Sequence, residues 1–241
     1  MLWVIGLGAF AAGLIQTMTG FGAGVIMVFI LSNYLGMIAA PAINTSICLG
    51  LTAVLSIKYR KSIEWKRMFL PIVLYTILSA ISIYFVTSIN IHVLAVAFGV
   101  FLIGISLFSL FFSGKVVMRK NQAVLLIFSM ISGVFSGLFG IGGPLLAVYL
   151  VSTTDTQDAY IADTQFLFTA TNIMNMAIRV LRGIYQPSYI PYSAVGLAAI
   201  LLGMCIGIRV QRLINISKLK TVVYIFVLCS GIVTILQHIG Q

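Results

Sequence analysis

The feature that most constrains this chain is a succession of apolar runs with hardly a charge inside them. They cover residues 1–35, 38–57, 68–87, 91–112, 122–153, 160–181, 190–208 and 219–238. Of the 241 residues, 61% are hydrophobic and 7% are charged, against about 25% charged in an ordinary soluble domain. A soluble fold of this length cannot bury so much apolar surface, whereas a helix of about 20 apolar residues crosses a bilayer. The sequence therefore predicts an all-α, polytopic membrane protein with a single domain over residues 1–241.

The charged residues stand mostly between these runs, and most of them are cations. There are 14 Lys and Arg against 4 Asp and Glu, for a net charge of +10. Cations at the ends of apolar spans mark the cytoplasmic side of a membrane, so the predicted partner is the lipid bilayer and not nucleic acid. Cys48, Cys205 and Cys229 are scattered inside the runs and form no metal-binding motif. No metal or cofactor is predicted, and a homo-oligomer stays open.

Two runs, 1–35 and 122–153, are unusually long and carry glycine clusters in their middle. As continuous helices they would measure about 45–52 Å, too long for one span and too short for two. The clusters read GFGAG at residues 20–24 and GIGGP at residues 140–144, and glycine readily interrupts a helix. Each run is therefore predicted to be a broken helix or a re-entrant hairpin.

A shift of 120 residues aligns the two halves of the chain. It pairs Gly13 with Gly133, Gly20 with Gly140, Gly22 with Gly142, Val28 with Val148 and Pro71 with Pro191. The apolar runs follow the same spacing. Two repeats are predicted, at residues 1–120 and 121–241, each a glycine-interrupted helix followed by three spanning helices.

The cations discriminate between two topologies. If every run crosses the membrane once, the cations divide 10 to 4 between its sides; if runs 1–35 and 122–153 are re-entrant, they divide 12 to 2. The second topology obeys the positive-inside rule better. It makes each repeat cross three times, so the repeats are inverted and both termini lie outside.

Interrupted helices also predict where the chemistry lies. Unpaired backbone groups occur at membrane depth only where protein or a water-filled cavity satisfies them. Short helices beginning near Ala23 and at Pro144 would point N–H groups and the positive ends of their dipoles at the breaks. Two such ends near the midplane would form an anion site. Close helix packing by glycine is the structural alternative.

The two glycine segments also carry a family resemblance. GFGAGVIMVF, from residue 20, and GLFGIGGPLLAVYL, from residue 137, resemble the paired signatures of the sulfite exporter TauE/SafE family; the second motif is the more specific. The resemblance extends to length, number of spans and two-repeat layout. It implies a secondary carrier in the cytoplasmic membrane that moves sulfite, sulfonates or related sulfur-containing anions. The family's Ala/Gly-Thr-Ser segment corresponds to Asn44, Thr45 and Ser46 in the first repeat, whereas the second repeat departs from it with Asp163, Thr164 and Gln165.

Run 160–181 carries a polar stripe at helical spacing, formed by Gln165, Thr169, Asn172, Asn175 and Arg179. Such side chains are expected to face a cavity or to hydrogen-bond neighbouring helices. Arg179 would attract the anion and bind a sulfonate-like group through two hydrogen bonds, or else snorkel at a helix end. Asp163 is the candidate proton carrier if transport is proton-coupled; the alternative is a helix N-terminal residue favoured by the dipole.

These features together predict a secondary transporter that works by alternating access, with an anion channel or a membrane-embedded enzyme as alternatives. No glycine-rich loop ends in Gly-Lys-Ser/Thr, so no ATP hydrolysis is expected. Two histidines and four acidic residues offer too little for a catalytic set, so no catalytic residue is predicted. The candidate substrate-binding residues are Gly20, Phe21, Gly22, Ala23, Gly24, Thr45, Ser46, Gly140, Ile141, Gly142, Gly143, Gln165, Asn172, Asn175 and Arg179.

Overall fold

The computed structural model describes residues 1–112, 121–210 and 216–239. The described residues form α-helices, two short 3-10 turns and no strand, which confirms the all-α prediction. The helices are α1 (Leu2–Thr19), α2 (Ala23–Tyr59), α3 (Trp65–Val86), α4 (Ile91–Phe112), α5 (Gln122–Phe139), α6 (Gly143–Thr153), α7 (Gln157–Leu181), α8 (Ile190–Val210) and α9 (Ile216–Ile239).

The distribution of side chains is that of a membrane protein. Within the described ranges, six helical segments are long and apolar enough to cross a bilayer, at residues 2–19, 23–62, 65–86, 91–111, 122–139 and 187–210. Large apolar side chains face outward, such as Trp3 at 86% exposure, while Gln16, Asn44 and Arg179 are buried. Helix α7 is missing from the six because its polar stripe lowers its hydropathy. Polar groups therefore lie inside the helical bundle and apolar groups face its surroundings.

The first long run folds as a helical hairpin, as the re-entrant alternative requires, and not as a collinear broken helix. Helix α1 ends at Gly20, whose φ is +85°, and Gly22 has a φ of +107°. The chain reverses there, because Gly8 packs against Ile30 on the first arm of α2 (residues 23–35). In a collinear helix those 22 residues would separate them by about 33 Å. We call α1 and residues 23–35 hairpin 1.

The second long run folds in the same way, and we call α5 and α6 hairpin 2. Near the end of α6, the hydroxyl of Tyr149 donates to the carbonyl of Asn121 at 2.7 Å, beside the start of α5. The rings of Phe128 and Tyr149 lie 5.8 Å apart. The turn contains Gly140, with a φ of +67°. Both glycine clusters therefore reverse the chain, which decides between the two alternatives drawn from the sequence.

After each hairpin the chain turns again and enters a long helix. In the first half this turn is at Gly36, whose φ of +81° and ψ of +166° interrupt α2. The second arm of α2 (residues 37–59) then runs back along the first, which brings Asn44 beside Gly24. In the second half α7 follows α6 after a short turn, and Phe168 reaches Gly143.

The order of helices in the first half recurs in the second. Helices α1 and α5 have bounds that differ by 120 residues at both ends. Helix α1 packs on α8 and α5 packs on α3, so each half supplies the neighbour of the other half's first helix. The second arm of α2 packs on α7, and α4 packs on α9. The recurrence agrees with two repeats; their opposite orientation in the membrane stays a prediction.

The two ends of the bundle carry different groups. At one end, Asp163 accepts a hydrogen bond from the backbone of Glu64 at 2.9 Å, and Arg67 binds Thr153. This end also carries Lys58, Arg60, Lys61 and Lys66, and we call it the basic end. At the other end a cleft of about 350 Å³ is lined by residues that include Gly36, Thr87 and Arg182. Of the other predicted loop cations, Lys115, Arg119, Lys120 and Arg212 lie outside the described residues.

Candidate functional site

The tips of the two hairpins meet in the middle of the bundle and enclose a small cavity. A Cβ built on Gly24 would lie 3.3 Å from the carbonyl oxygen of Gly140, and one built on Gly143 would lie 3.6 Å from the Cβ of Phe21. The cavity has a volume of about 40 Å³. One ordered water requires roughly 10–15 Å³ by this measure, so about three waters or one compact anion would fit. We call this space the central cavity.

The central cavity is lined by both glycine clusters and by polar side chains from neighbouring helices. Its lining residues are Gln16, Phe21, Gly22, Gly24, Val25, Asn44, Cys48, Thr52, Tyr75, Ser136, Gly140, Ile141, Gly142, Gly143, Pro144, Phe168 and Asn172. Eight residues predicted from the sequence are among them: Phe21, Gly22, Gly24, Gly140, Ile141, Gly142, Gly143 and Asn172. The structure therefore brings the two predicted breaks together, while their part in binding a ligand stays a prediction.

The short arms of both hairpins begin at this cavity. The first turn of a helix carries N–H groups without partners inside the helix. In hairpin 1 the N–H of Ala23 is already taken, since it donates to Oε1 of Gln16 at 3.2 Å. The N–H groups of the next two residues, Gly24 and Val25, have no hydrogen-bond acceptor among the described residues. Both residues line the cavity.

Hairpin 2 offers a similar set of donors. Helix α6 begins at Gly143, with Pro144 in its first turn. Proline has no N–H to satisfy and suits the start of a helix. The N–H groups of Gly142 and Gly143 have no acceptor within the described part of the chain, and both residues line the cavity. Backbone donors of two helix starts therefore border the same space.

The carbonyl groups at the tips are, in contrast, hydrogen-bonded by side chains. Nε2 of Gln165 donates to the Gly20 carbonyl at 2.7 Å, and Nδ2 of Asn44 donates to the Gly140 carbonyl at 3.1 Å. In each case an amide from one half reaches the hairpin of the other half, although at the 120-residue offset Gln165 corresponds to Thr45 and not to Asn44. The hydroxyl of Tyr160 donates to the Thr19 carbonyl at 2.9 Å. The C-terminal ends of α1 and α5 are thus covered.

Arg179 is fully buried, which makes the snorkelling alternative wrong. Its side chain is 1% exposed, and Nη2 donates to the carbonyl of Gly137 at 2.8 Å, in the last turn of α5. Nε has no hydrogen-bond partner among the described residues. The guanidinium does not line the central cavity. It lies at the negative end of the α5 dipole, where a cation is favourable.

The other polar residues of the α7 stripe differ in their contacts: some form hydrogen bonds within the bundle, and one faces the cavity. Asn175 accepts from Ser79 at 2.8 Å and donates to Ser136 at 3.3 Å, so it connects α7 to α3 and α5. Thr169 bonds to its own helix. Asn172 is half-buried and faces the cavity. Interhelical bonding thus accounts for part of the stripe.

Four further predicted residues lie outside the cavity lining. Gly20 provides the carbonyl that Gln165 covers. Thr45 is buried and bonds back to Pro41 at 2.7 Å, and Ser46 follows it on the same helix. Asp163 lies at the basic end, where its Oδ1 accepts the Glu64 N–H while Oδ2 has no partner among the described residues.

Sequence reasoning missed several polar residues of the site, of which Gln16, Asn44 and Tyr75 are the most prominent. Gln16 is the only amide side chain between residues 1 and 32, four positions before the first glycine of the cluster, and that was a usable signal. Asn44 directly precedes Thr45, so the right segment was indicated but not the right residue. Tyr75, whose hydroxyl bonds Ser136, comes from a run without any feature that singles it out.

The fold and the site define a class of protein: a multi-pass membrane protein with a polar cavity between two re-entrant hairpins. The sequence matches the family model described as sulfite exporter TauE/SafE over residues 5–234, nearly the whole chain. The chain belongs to this family, whose members are membrane transporters and not enzymes. Membership implies export of sulfite or sulfonates, and therefore a small anionic substrate. Comparison with curated proteins and with solved structures found no match.

Proposed function

We propose that the protein is a secondary transporter that binds a small sulfur-containing anion, such as sulfite or a sulfonate, in the central cavity. One observation carries the proposal. At the hairpin tips, side chains bond the carbonyl groups of Gly20 and Gly140, while N–H groups of both short arms border the cavity with no acceptor among the described residues. Open backbone donors beside carbonyl groups that are already bonded favour an anion over a cation.

The electrostatics of the helix ends support this assignment. Each helix start carries about half of a positive charge, and each helix end about half of a negative one. At a hairpin tip the two meet, so an uncovered carbonyl would repel the anion that the N–H groups attract. Gln165 and Asn44 remove that repulsion at Gly20 and Gly140. Helix starts are established anion sites for the same reason.

Arg179 contributes through its field and not by contact. Its guanidinium is bonded to Gly137, three residues before Gly140 on the hairpin tip. A full positive charge there offsets the negative end of α5, which would otherwise oppose the anion. The direct two-bond contact expected from the sequence is replaced, in this proposal, by a supporting role behind the cavity.

Transport proceeds in this proposal by alternating access across the cytoplasmic membrane. The central cavity lies between the cleft near Arg182 and a cavity of about 280 Å³ near the basic end, lined by residues that include Thr154 and Asp155. Tyr160 belongs to the lining of the second cavity and also bonds the tip of hairpin 1. Movement of the hairpins would open one side at a time. The positive-inside rule places the basic end in the cytoplasm.

The coupling ion is a separate part of the proposal. If a proton drives transport, Asp163 carries it, because its Oδ2 is buried and unpartnered within the described ranges. The Asp163→Asn variant keeps an acceptor for the Glu64 N–H and removes the titratable group. It should retain exchange between equal pools of substrate and lose stimulation by a pH gradient.

The central test is flux of labelled sulfite into proteoliposomes, with Gly24→Ala as the diagnostic variant. A methyl group on Gly24 would lie 3.3 Å from the Gly140 carbonyl and 3.4 Å from Nδ2 of Asn44, a tight but tolerable fit that narrows the cavity. We expect saturable counterflow in the native protein and a loss of about tenfold or more in the variant, equivalent to about 1.4 kcal/mol.

Gly104→Ala is the matched control, because it also lies within a long helix and no atom stands within 4 Å of its added Cβ. It should transport like the native protein. Equal flux in both variants would contradict the assignment of the cavity, and sustained unitary currents would show a channel instead of a carrier.

A further inference from the structure

We infer that the carried species is a compact anion of single charge, and that doubly charged anions of the same size are rejected, because the described residues that line the central cavity include no cationic side chain. This inference rests on the proposed transport function and specifies its substrate class. It applies to sulfite in particular, because sulfite exchanges a proton near neutral pH and so presents both a singly and a doubly charged form.

The cavity wall is polar but uncharged. The polar residues that line it are Gln16, Asn44, Cys48, Thr52, Tyr75, Ser136 and Asn172. None of the described lining residues is a lysine, arginine, histidine, aspartate or glutamate. The volume of about 40 Å³ also leaves no room for a full hydration shell around an anion. An anion must therefore exchange most of its water for neutral groups.

The energy of that exchange depends steeply on charge. The Born energy of moving an ion from water into a medium of low dielectric constant grows with the square of its charge. A dianion therefore loses about four times as much hydration energy as a monoanion of equal radius. Neutral hydrogen-bond donors recover part of the loss, but attraction to a fixed field grows only in proportion to charge. A wall without cations thus favours the singly charged form.

The field that is available corresponds to about one unit of charge. Two helix starts supply roughly half a charge each. Part of this is already used in hairpin 1, where Ala23 donates to Gln16. Arg179 stands outside the wall and is bonded to Gly137, so the end of α5 balances about half of its charge. The site neutralises a monoanion and would leave a dianion about half compensated.

The test uses a pair of anions that differ in charge and not in shape. Methanesulfonate and sulfate are both tetrahedral and of similar size, yet the first is singly and the second doubly charged at neutral pH. Each is added as a competitor of labelled sulfite counterflow in proteoliposomes with the native protein. We expect methanesulfonate to inhibit at a concentration lower by about tenfold or more. Equal inhibition, or stronger inhibition by sulfate, would overturn the inference while leaving sulfite transport established.

A variant tests the cause directly. Asn172→Lys introduces a cation at a half-buried position of the wall, and Asn172→Met adds similar length without charge. The lysine variant should gain competition by sulfate, and the methionine variant should not. A folded lysine variant that still discriminates against sulfate would show that the wall charge does not set the preference. If native protein carries neither sulfite nor methanesulfonate, the proposed function itself fails.

Discussion

Hairpins 1 and 2 have glycines at matching positions, yet they require them for different physical reasons. At Gly22 the φ of +107° lies in a region that other residues rarely adopt, while an added Cβ would meet only Ile15 and Val223, both at 3.5 Å. At Gly142 the φ of −121° suits any residue, but an added Cβ would overlap the hydroxyl of Tyr75 and the carbonyl of Ser132. One glycine serves the backbone conformation and the other leaves space for a neighbouring helix.

The two tips also differ in how their donors are used. Hairpin 1 satisfies one N–H of its short arm internally, through Gln16. Hairpin 2 has one N–H group fewer to satisfy, because Pro144 lies in the first turn of α6. In the second half the position of Gln16 is taken by Ser136, which lies between Tyr75 and Asn175. The shared glycine pattern therefore fixes where the chain reverses, and the surrounding residues decide how rigid each tip is.

The largest expected effect is the loss of stability when Gly142 is replaced by alanine, compared with the same replacement at Gly22. Gly142→Ala must displace the Ser132 carbonyl or the Tyr75 ring, and overpacking of this kind typically costs about 1–3 kcal/mol or more. Gly22→Ala mainly costs the free energy of placing a residue with a Cβ in a left-handed backbone conformation, roughly 1–2 kcal/mol. We expect both to lower the temperature at which the purified protein loses its monodisperse state, with Gly142→Ala the more damaging. A larger loss for Gly22→Ala would reverse the assigned roles, and Gly104→Ala controls for the methyl group alone.

The next effect concerns the amides that cover the carbonyls. Gln165→Leu would leave the Gly20 carbonyl uncovered and remove the partner of Gln16, which donates to Gln165 at 3.1 Å. Asn44→Leu would uncover the Gly140 carbonyl. A buried group without its partner costs about 1–3 kcal/mol. Both variants should raise the sulfite concentration for half-maximal counterflow. Gln165→Leu should do so more strongly, because its second lost bond comes from the amide of Gln16, whereas the second bond of Asn44 comes from the thiol of Cys48, a weak donor.

Asn33→Leu is the control for these amide variants. Asn33 is exposed and bonds its own helix through Phe29, so its loss should leave counterflow unchanged. If Gln165→Leu and Asn44→Leu transport like Asn33→Leu, the covering of carbonyls does not contribute to anion binding.

The parts of this molecule that follow a periodic pattern could be predicted from the sequence. The apolar runs predicted the helices, because a bilayer requires long apolar segments. The glycine clusters predicted the two interruptions, because few other residues allow the chain to reverse so sharply. The approach of residues 20–24 to residues 140–144 followed from the repeat. These predictions follow from patterns within the amino-acid sequence itself, so the sequence was sufficient to make them.

The rest of the site depends on contacts across the bundle that no local pattern records. Arg179 is near the end of its run, where a sequence cannot distinguish a snorkelling cation from one bonded to Gly137. Tyr75 reaches the cavity because α3 packs on α5, and its own run is otherwise unremarkable in pattern. The capping of Ala23 by Gln16 requires the hairpin to close first. Tertiary geometry, and not residue type, assigned these roles.

The smallest expected effect is the change in counterflow when Thr45 is replaced, compared with replacement of its neighbour Asn44. The family resemblance pointed to Thr45 and Ser46, but the hydroxyl of Thr45 is bonded to Pro41 within its own helix and does not reach the cavity. Thr45→Val removes that hydroxyl at little change of volume, and the Pro41 carbonyl keeps its usual place in the helix. We expect half-maximal counterflow to change by less than about twofold, since neutral side-chain bonds to backbone contribute about 1 kcal/mol or less to stability and nothing to the ligand. Ser46→Ala should behave in the same way. If Thr45→Val weakened transport as much as Asn44→Leu, the carbonyl at the tip of hairpin 2 would have to be recognised by the threonine, and the pairing of Asn44 with Gln165 across the two halves would be wrong.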